Sequence, residues 1–137
     1  MARFADRLAE NVEGAFYVDR SCIDCDTCRQ VAPATFARAD GPEMSFVAHQ
    51  PGDEVERRRA LMALVACPTS SIGTAPKLAA GDAARAFPEP LGDDVFYCGY
   101  AAEASFGASS YLVRRPEGNV LVDSPRAARP LLRRLCS

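Results

Sequence analysis

The alternation of apolar and polar positions changes character near residue 75. Before it, Gly14-Ala-Phe-Tyr-Val-Asp19 is a short aromatic and β-branched run that predicts a strand. One helical turn is expected around Cys28 to Val31, stopped by Pro33. Thr35–Arg38 and Met44–Ala48 alternate in period two on either side of Asp40-Gly41-Pro42, as a hairpin does. A helix follows. Asp53 is its N-cap, and Glu54 and Glu56 lie in the first turn, where the helix dipole favours negative charge. Leu61, Leu64 and Val65 are spaced as one apolar face, with Val55 and Met62 beside it, and Pro68 ends the helix. Ser71-Ile-Gly-Thr74 supplies a last strand. The order is strand, helix, strand, strand, helix, strand, and the fold class is α+β.

Residues 76–93 are rich in Ala, Gly, Pro and acidic residues, a linker composition. Val95–Tyr100 then reads as a strand, and Tyr111–Val113 and Val120–Val122 flank Arg114–Asn119 as a hairpin. The tail from Leu131 is helical, with Pro130 opening the helix. At the other end, Met1–Asn11 reads as a short amphipathic helix with Phe4 and Leu8 on one face. The expected division is a unit at 1–75, a linker at 76–93, and a hairpin with a short helix at 94–137.

Composition narrows the function. With 48% hydrophobic and 25% charged residues in 137, the chain is of globular type and of about one domain's size. A net charge of −2 argues against a nucleic-acid partner. No run approaches the ~20 apolar residues that cross a bilayer, and the N-terminus lacks an apolar signal core. A cytoplasmic protein is expected, and in that compartment clustered cysteines hold metal more often than they form disulfides.

Cys22, Cys25 and Cys28 have the spacing C-x2-C-x2-C, and Cys67-Pro68 stands at the end of the second predicted helix. Three thiolates so spaced can wrap one face of an iron–sulfur cubane, and a distant cysteine completes the ligation of four irons. An all-thiolate zinc site is the alternative. Zinc sites usually pair two C-x2-C knuckles, whereas here three cysteines come together and the fourth stands alone. Cysteine at position 25 favours four irons over three. Asp24 and Asp26 would lower the potential of such a centre and Arg20 and Arg29 raise it; a low value is expected. Cys98 reads as a small buried hydrophobe, Cys136 as incidental, and His49, the single histidine, as a surface residue.

These residues and their order of elements resemble the bacterial-type ferredoxins in their single-cluster form, over about residues 12–75. The resemblance implies a ferredoxin-like βαββαβ unit with a C-terminal β-hairpin extension. It also implies one 4Fe–4S cluster held by Cys22, Cys25, Cys28 and Cys67, since Cys98 and Cys136 are too few for a second. The function implied is electron transfer, not enzymatic chemistry, with a redox protein docking near residues 20–30.

A second resemblance lies in Phe96–Tyr100, Ser105–Val113 and Gly118–Pro125, which are similar to the opening strands of metallo-β-lactamase-fold proteins. Some members of that superfamily carry an N-terminal ferredoxin domain. The family's metal-binding His-x-His-x-Asp-His motif has no counterpart here, and Asp123 alone holds no hydrolytic centre. The alternative function is therefore the N-terminal fragment of a hydrolase or oxidoreductase of that fold. A third is a cluster serving as a structural staple or oxidation sensor.

Overall fold

The computed structural model describes residues 1–136. Its first part contains β1 (Phe16–Val18), α1 (Thr27–Val31), β2 (Phe36–Ala39), β3 (Met44–Val47), α2 (Glu54–Ala66) and β4 (Ile72–Thr74), in the expected order. The strands form two antiparallel pairs. β1 lies on β4, with Phe16 opposite Thr74 and Val18 opposite Ile72; β2 lies on β3, with Phe36 opposite Val47. The Asn11 side chain joins the pairs. Its Nδ2 donates to the carbonyls of Leu8 and Val18, and its Oδ1 accepts from the amides of Val18 and Val47. One amide group thus satisfies edge groups of both β1 and β3 that have no strand to pair with.

α2 begins as its sequence dictates: the Asp53 carboxylate accepts from the Glu56 amide at 2.8 Å. Its buried face differs from the expected one. Ala60, Met62, Ala63 and Ala66 are inside, Leu61, Leu64 and Val65 are half-buried, and Val55 is 73% exposed. The alanines face in because small side chains let α1 approach closely, whereas the leucine spacing alone cannot tell which side a neighbour occupies.

The N-terminus is not an amphipathic helix. Phe4–Asp6 makes one 3-10 turn, after which Arg7 bridges to Asp19 and the Leu8 amide donates to the Val18 carbonyl. The Asp19 carboxylate accepts from the Arg3 amide at 2.9 Å. Pairing with the end of β1 draws the segment out of a helix.

Beyond residue 75 the chain is more ordered than its composition implies. The stretch read as a linker carries α3 (Gly81–Ala84) and β5 (Glu89–Gly92), and Phe87 between them is fully buried. The Phe87 ring stands edge-on to Tyr97 and Tyr100, both at 5.8 Å between centroids. Gly99, at φ +63°, passes so close that a Cβ there would lie 2.5 Å from that ring. β5 joins β6 (Val95–Tyr97), β7 (Tyr111–Val113) and β8 (Val120–Val122) in one antiparallel sheet, so the expected β7–β8 hairpin is half of a four-stranded sheet. α4 (Arg129–Leu135) closes the described chain, with Pro130 in its first turn as expected. Both parts share one core, which runs from Phe16, Val18 and Met62 to Phe87, Tyr97, Leu112 and Leu131. Arg59 of α2 strengthens the seam, donating to the Val31 carbonyl and pairing with Glu89 of β5.

Candidate metal centre

The loop between β1 and α1 turns back on itself because Asp24 (φ 58°) and Asp26 (φ 72°) take left-handed conformations, which aspartate tolerates better than most residues. Arginines hold the two carboxylates. Arg29 reaches Asp24 at 2.9 Å and Asp26 at 2.6 Å, and Arg38 of β2 reaches Asp24 at 3.1 Å. Burial alone would raise Asp24; the hydrogen bonds and charges of Arg29 and Arg38 outweigh it and hold the carboxyl below its ordinary value. Gln30 and then Arg29 do the same for Asp26. The aspartates expected to add free negative charge are thus matched by cations.

This winding turns Cys22, Cys25 and Cys28 towards Cys67 at the C-terminus of α2. All four line one small cavity with Val18, Ile23 and Ile72. Each sulfur has a polar neighbour. The Asp24 amide donates to Cys22 Sγ at 3.4 Å, and the Ser71 amide to Cys67 Sγ at 3.3 Å. Cys25 Sγ lies 3.3 Å from the Thr27 hydroxyl, and Cys28 Sγ 3.2 Å from that of Ser45. Arg29 donates to the same Ser45 oxygen at 2.8 Å, so a buried hydroxyl links this cation to Cys28. A hydroxyl chain, Ser21–Ser71–Thr69, spans from the first loop to Cys67.

Burial pushes the Cys28 thiol up to about 12 against the opposing Ser45 bond, and it raises Cys22 as well. Such thiols stay protonated at neutral pH until a cation replaces the proton. Among the described residues no three His, Cys, Asp or Glu side chains converge so as to hold a single metal ion. The donor set is four sulfurs around an apolar cavity, with backbone amides donating to Cys22 and Cys67 and hydroxyl oxygens accepting from the Cys25 and Cys28 thiols, which fits a sulfur-bridged iron cluster.

Residues 18–74 match the family model for the 4Fe-4S single cluster domain of Ferredoxin I. The match runs from the last residue of β1 to the last of β4 and encloses all four cysteines. It supports an iron–sulfur cluster-binding, ferredoxin-like function for this part of the chain, of a kind typical of electron carriers. No curated protein and no solved structure matches. The family match ends at Thr74 and says nothing of a metallo-β-lactamase-fold domain beyond it.

Of the remaining candidates, Cys98 is fully buried, as its apolar strand implies, while His49 and Cys136 are exposed. Among the described residues no helix is long and apolar enough to cross a membrane. The sequence reading missed Thr27, Ser45 and Ser71. Only Thr27 had a signal, its place between two cysteines; Ser45 and Ser71 come from elements that the cysteine spacing does not mention.

Proposed function

We propose that Cys22, Cys25, Cys28 and Cys67 hold one 4Fe–4S cluster and that the chain is an electron carrier of the single-cluster ferredoxin type. The observation that carries this reading is the joint lining of one cavity by these four thiols, inside the family-matched segment. Bound there, the cluster supplies one-electron transfer. The chain's part is to ligate through the four sulfurs, to exclude water with Val18, Ile23 and Ile72, and to aim the Asp24 and Ser71 amides at the sulfurs, which stabilises added negative charge. Zinc is disfavoured because zinc sites usually pair two C-x2-C knuckles, whereas here three cysteines come together and the fourth stands alone. The partner is a redox protein that docks on the loop around residues 20–30, where Arg20, Ser21 and Gln30 are exposed.

Anaerobic reconstitution tests the reading. It should give about four irons and four sulfides per chain, with a visible band that bleaches on dithionite reduction. Cys25→Ser should change or abolish the cluster, and Cys98→Ser should keep it. Stoichiometric zinc without sulfide, or equal iron in both variants, would overturn it.

One observation favours a second reading. β8 is apolar yet exposed at the edge of its sheet, as a strand is when more sheet packs on it. In that reading residues 94–136 belong to a larger metallo-β-lactamase-fold enzyme with the cluster domain as its accessory. A coding frame that continues past Ser137 into a His-x-His-x-Asp-His motif would establish it; a stop codon there would remove it.

A further inference from the structure

The residues after the matched segment are built into the wall of the cysteine site. Gly107, buried and at φ +74°, lies against Cys25 so closely that a Cβ would stand 2.5 Å from Cys25 Cβ and 2.8 Å from its sulfur. Its carbonyl accepts from the Thr27 hydroxyl at 3.3 Å. Nearby, the Ala101 amide donates to the Ala66 carbonyl at 2.9 Å. Loop 101–107 therefore covers Cys25 and is tied to the end of α2.

Arg126 fastens the same seam. Its guanidinium donates to the carbonyls of Val65 (2.7 Å), Cys67 (3.2 Å) and Ala101 (2.7 Å), and lies 5.2 Å from the centre of the Tyr100 ring. Its own amide donates to the Tyr100 carbonyl at 2.7 Å. Every polar partner given to this half-buried cation is a neutral carbonyl, and among the described residues it forms no ion pair with a carboxylate. A half-buried guanidinium without an anion is costly, and arginine does not shed its proton. Four thiolates around an oxidised cubane would leave the site net negative and so would supply that anion.

We propose that Arg126 is the counter-charge and clamp of the cysteine site, an extension that rests on the cluster reading above. Its guanidinium locks Cys67 to the loop over Cys25, and its positive charge favours the reduced, more negative state. It is a positioning residue, since it reaches the site through the Cys67 backbone. A role confined to capping α2 would hold the helix end and leave the potential unmoved.

The test compares the full chain with Arg126→Gln and Arg126→Lys, all reconstituted anaerobically. The potential is followed by spectroscopic redox titration, and exchange at the Ala101 amide is read in parallel. Arg126→Gln should make reduction at least about tenfold less favourable, a fall of about 59 mV for one electron. Arg126→Lys should keep the potential within a third of that change while Ala101 exchanges faster, because one ammonium cannot hold three carbonyls in the guanidinium geometry. A Gln variant that holds its cluster at the wild-type potential overturns the proposal. If the Gln variant does not fold, the Lys variant decides: retained potential with faster exchange supports the clamp, and wild-type exchange overturns it. A wild-type chain that takes up zinc and no sulfide instead brings down the cluster reading, and the counter-charge with it.

Discussion

β1 and β8 are three-residue strands of nearly equal apolar character, and the fold treats them oppositely. Phe16, Tyr17 and Val18 are 3%, 6% and 1% exposed; Val120, Leu121 and Val122 are 39%, 45% and 49% exposed. The difference does not lie in the strands. β1 pairs with β4, lies beside β3 and the N-terminal segment and lines the cysteine cavity through Val18, whereas β8 is a sheet edge on which no other element among the described residues is laid. A short apolar run thus reports the capacity to be buried, and its neighbours decide whether the capacity is used.

The comparison breaks most sharply at Phe87, which belongs to the second part yet sits in the shared core. Phe87→Ala should cost about 3–5 kcal/mol in denaturant unfolding, the usual result of emptying a fully buried aromatic site. A loss under about 1 kcal/mol would mean that residues 76–93 behave as the linker their composition suggests. Next is Asn11→Ala, which strips the Val18 and Val47 amides of their partner. A loss of about 2–4 kcal/mol is expected, with faster exchange at those two amides and none at Leu112 of the far sheet.

In a base titration Tyr97 reports on the second part, while Cys28 and Cys22 of the first part, also raised by burial, titrate alongside it. Burial first, then the charge of Tyr111, pushes the Tyr97 hydroxyl up to about 12 from 10.0. A group raised on folding contributes stability that is complete below its unfolded value and lost as pH climbs through the folded one. Roughly 2–3 kcal/mol should therefore disappear between pH 10 and 12, with tyrosinate absorbance from Tyr97 delayed into the same interval. Absorbance complete near pH 10 would show that Tyr97 is open to water. The smallest effect belongs to β8: Leu121→Ser should shift stability by less than about 0.5 kcal/mol and raise solubility. A large loss would show that something covers this edge in solution.

Much of the first part was legible because its signals are local. Asp53 caps α2 by its own side chain, Pro68 ends it, and the hairpin around Gly41 follows from period-two alternation. The four cysteines were legible as a set because their spacing and the Cys-Pro pair restrict the chemistry more than the fold. The buried face of α2 was not, since Leu61 and Leu64 are the stronger hydrophobes and Ala60 and Ala63 are chosen only by the closeness of α1. Phe87 was hidden by its proline-rich surroundings, where composition outvoted one aromatic ring.

By itself, then, the sequence determined which elements form in residues 14–75 and which sulfurs are available, because caps, turns and ligand spacing act over a few residues. Only the tertiary structure decided what surrounds those sulfurs. Ser45, Ser71, Gly107 and Arg126 reach the site from four separate elements or loops, and Arg126 is 59 positions from Cys67. Long-range packing brings them there, through carbonyls and hydroxyls that carry no signature in the order of residues.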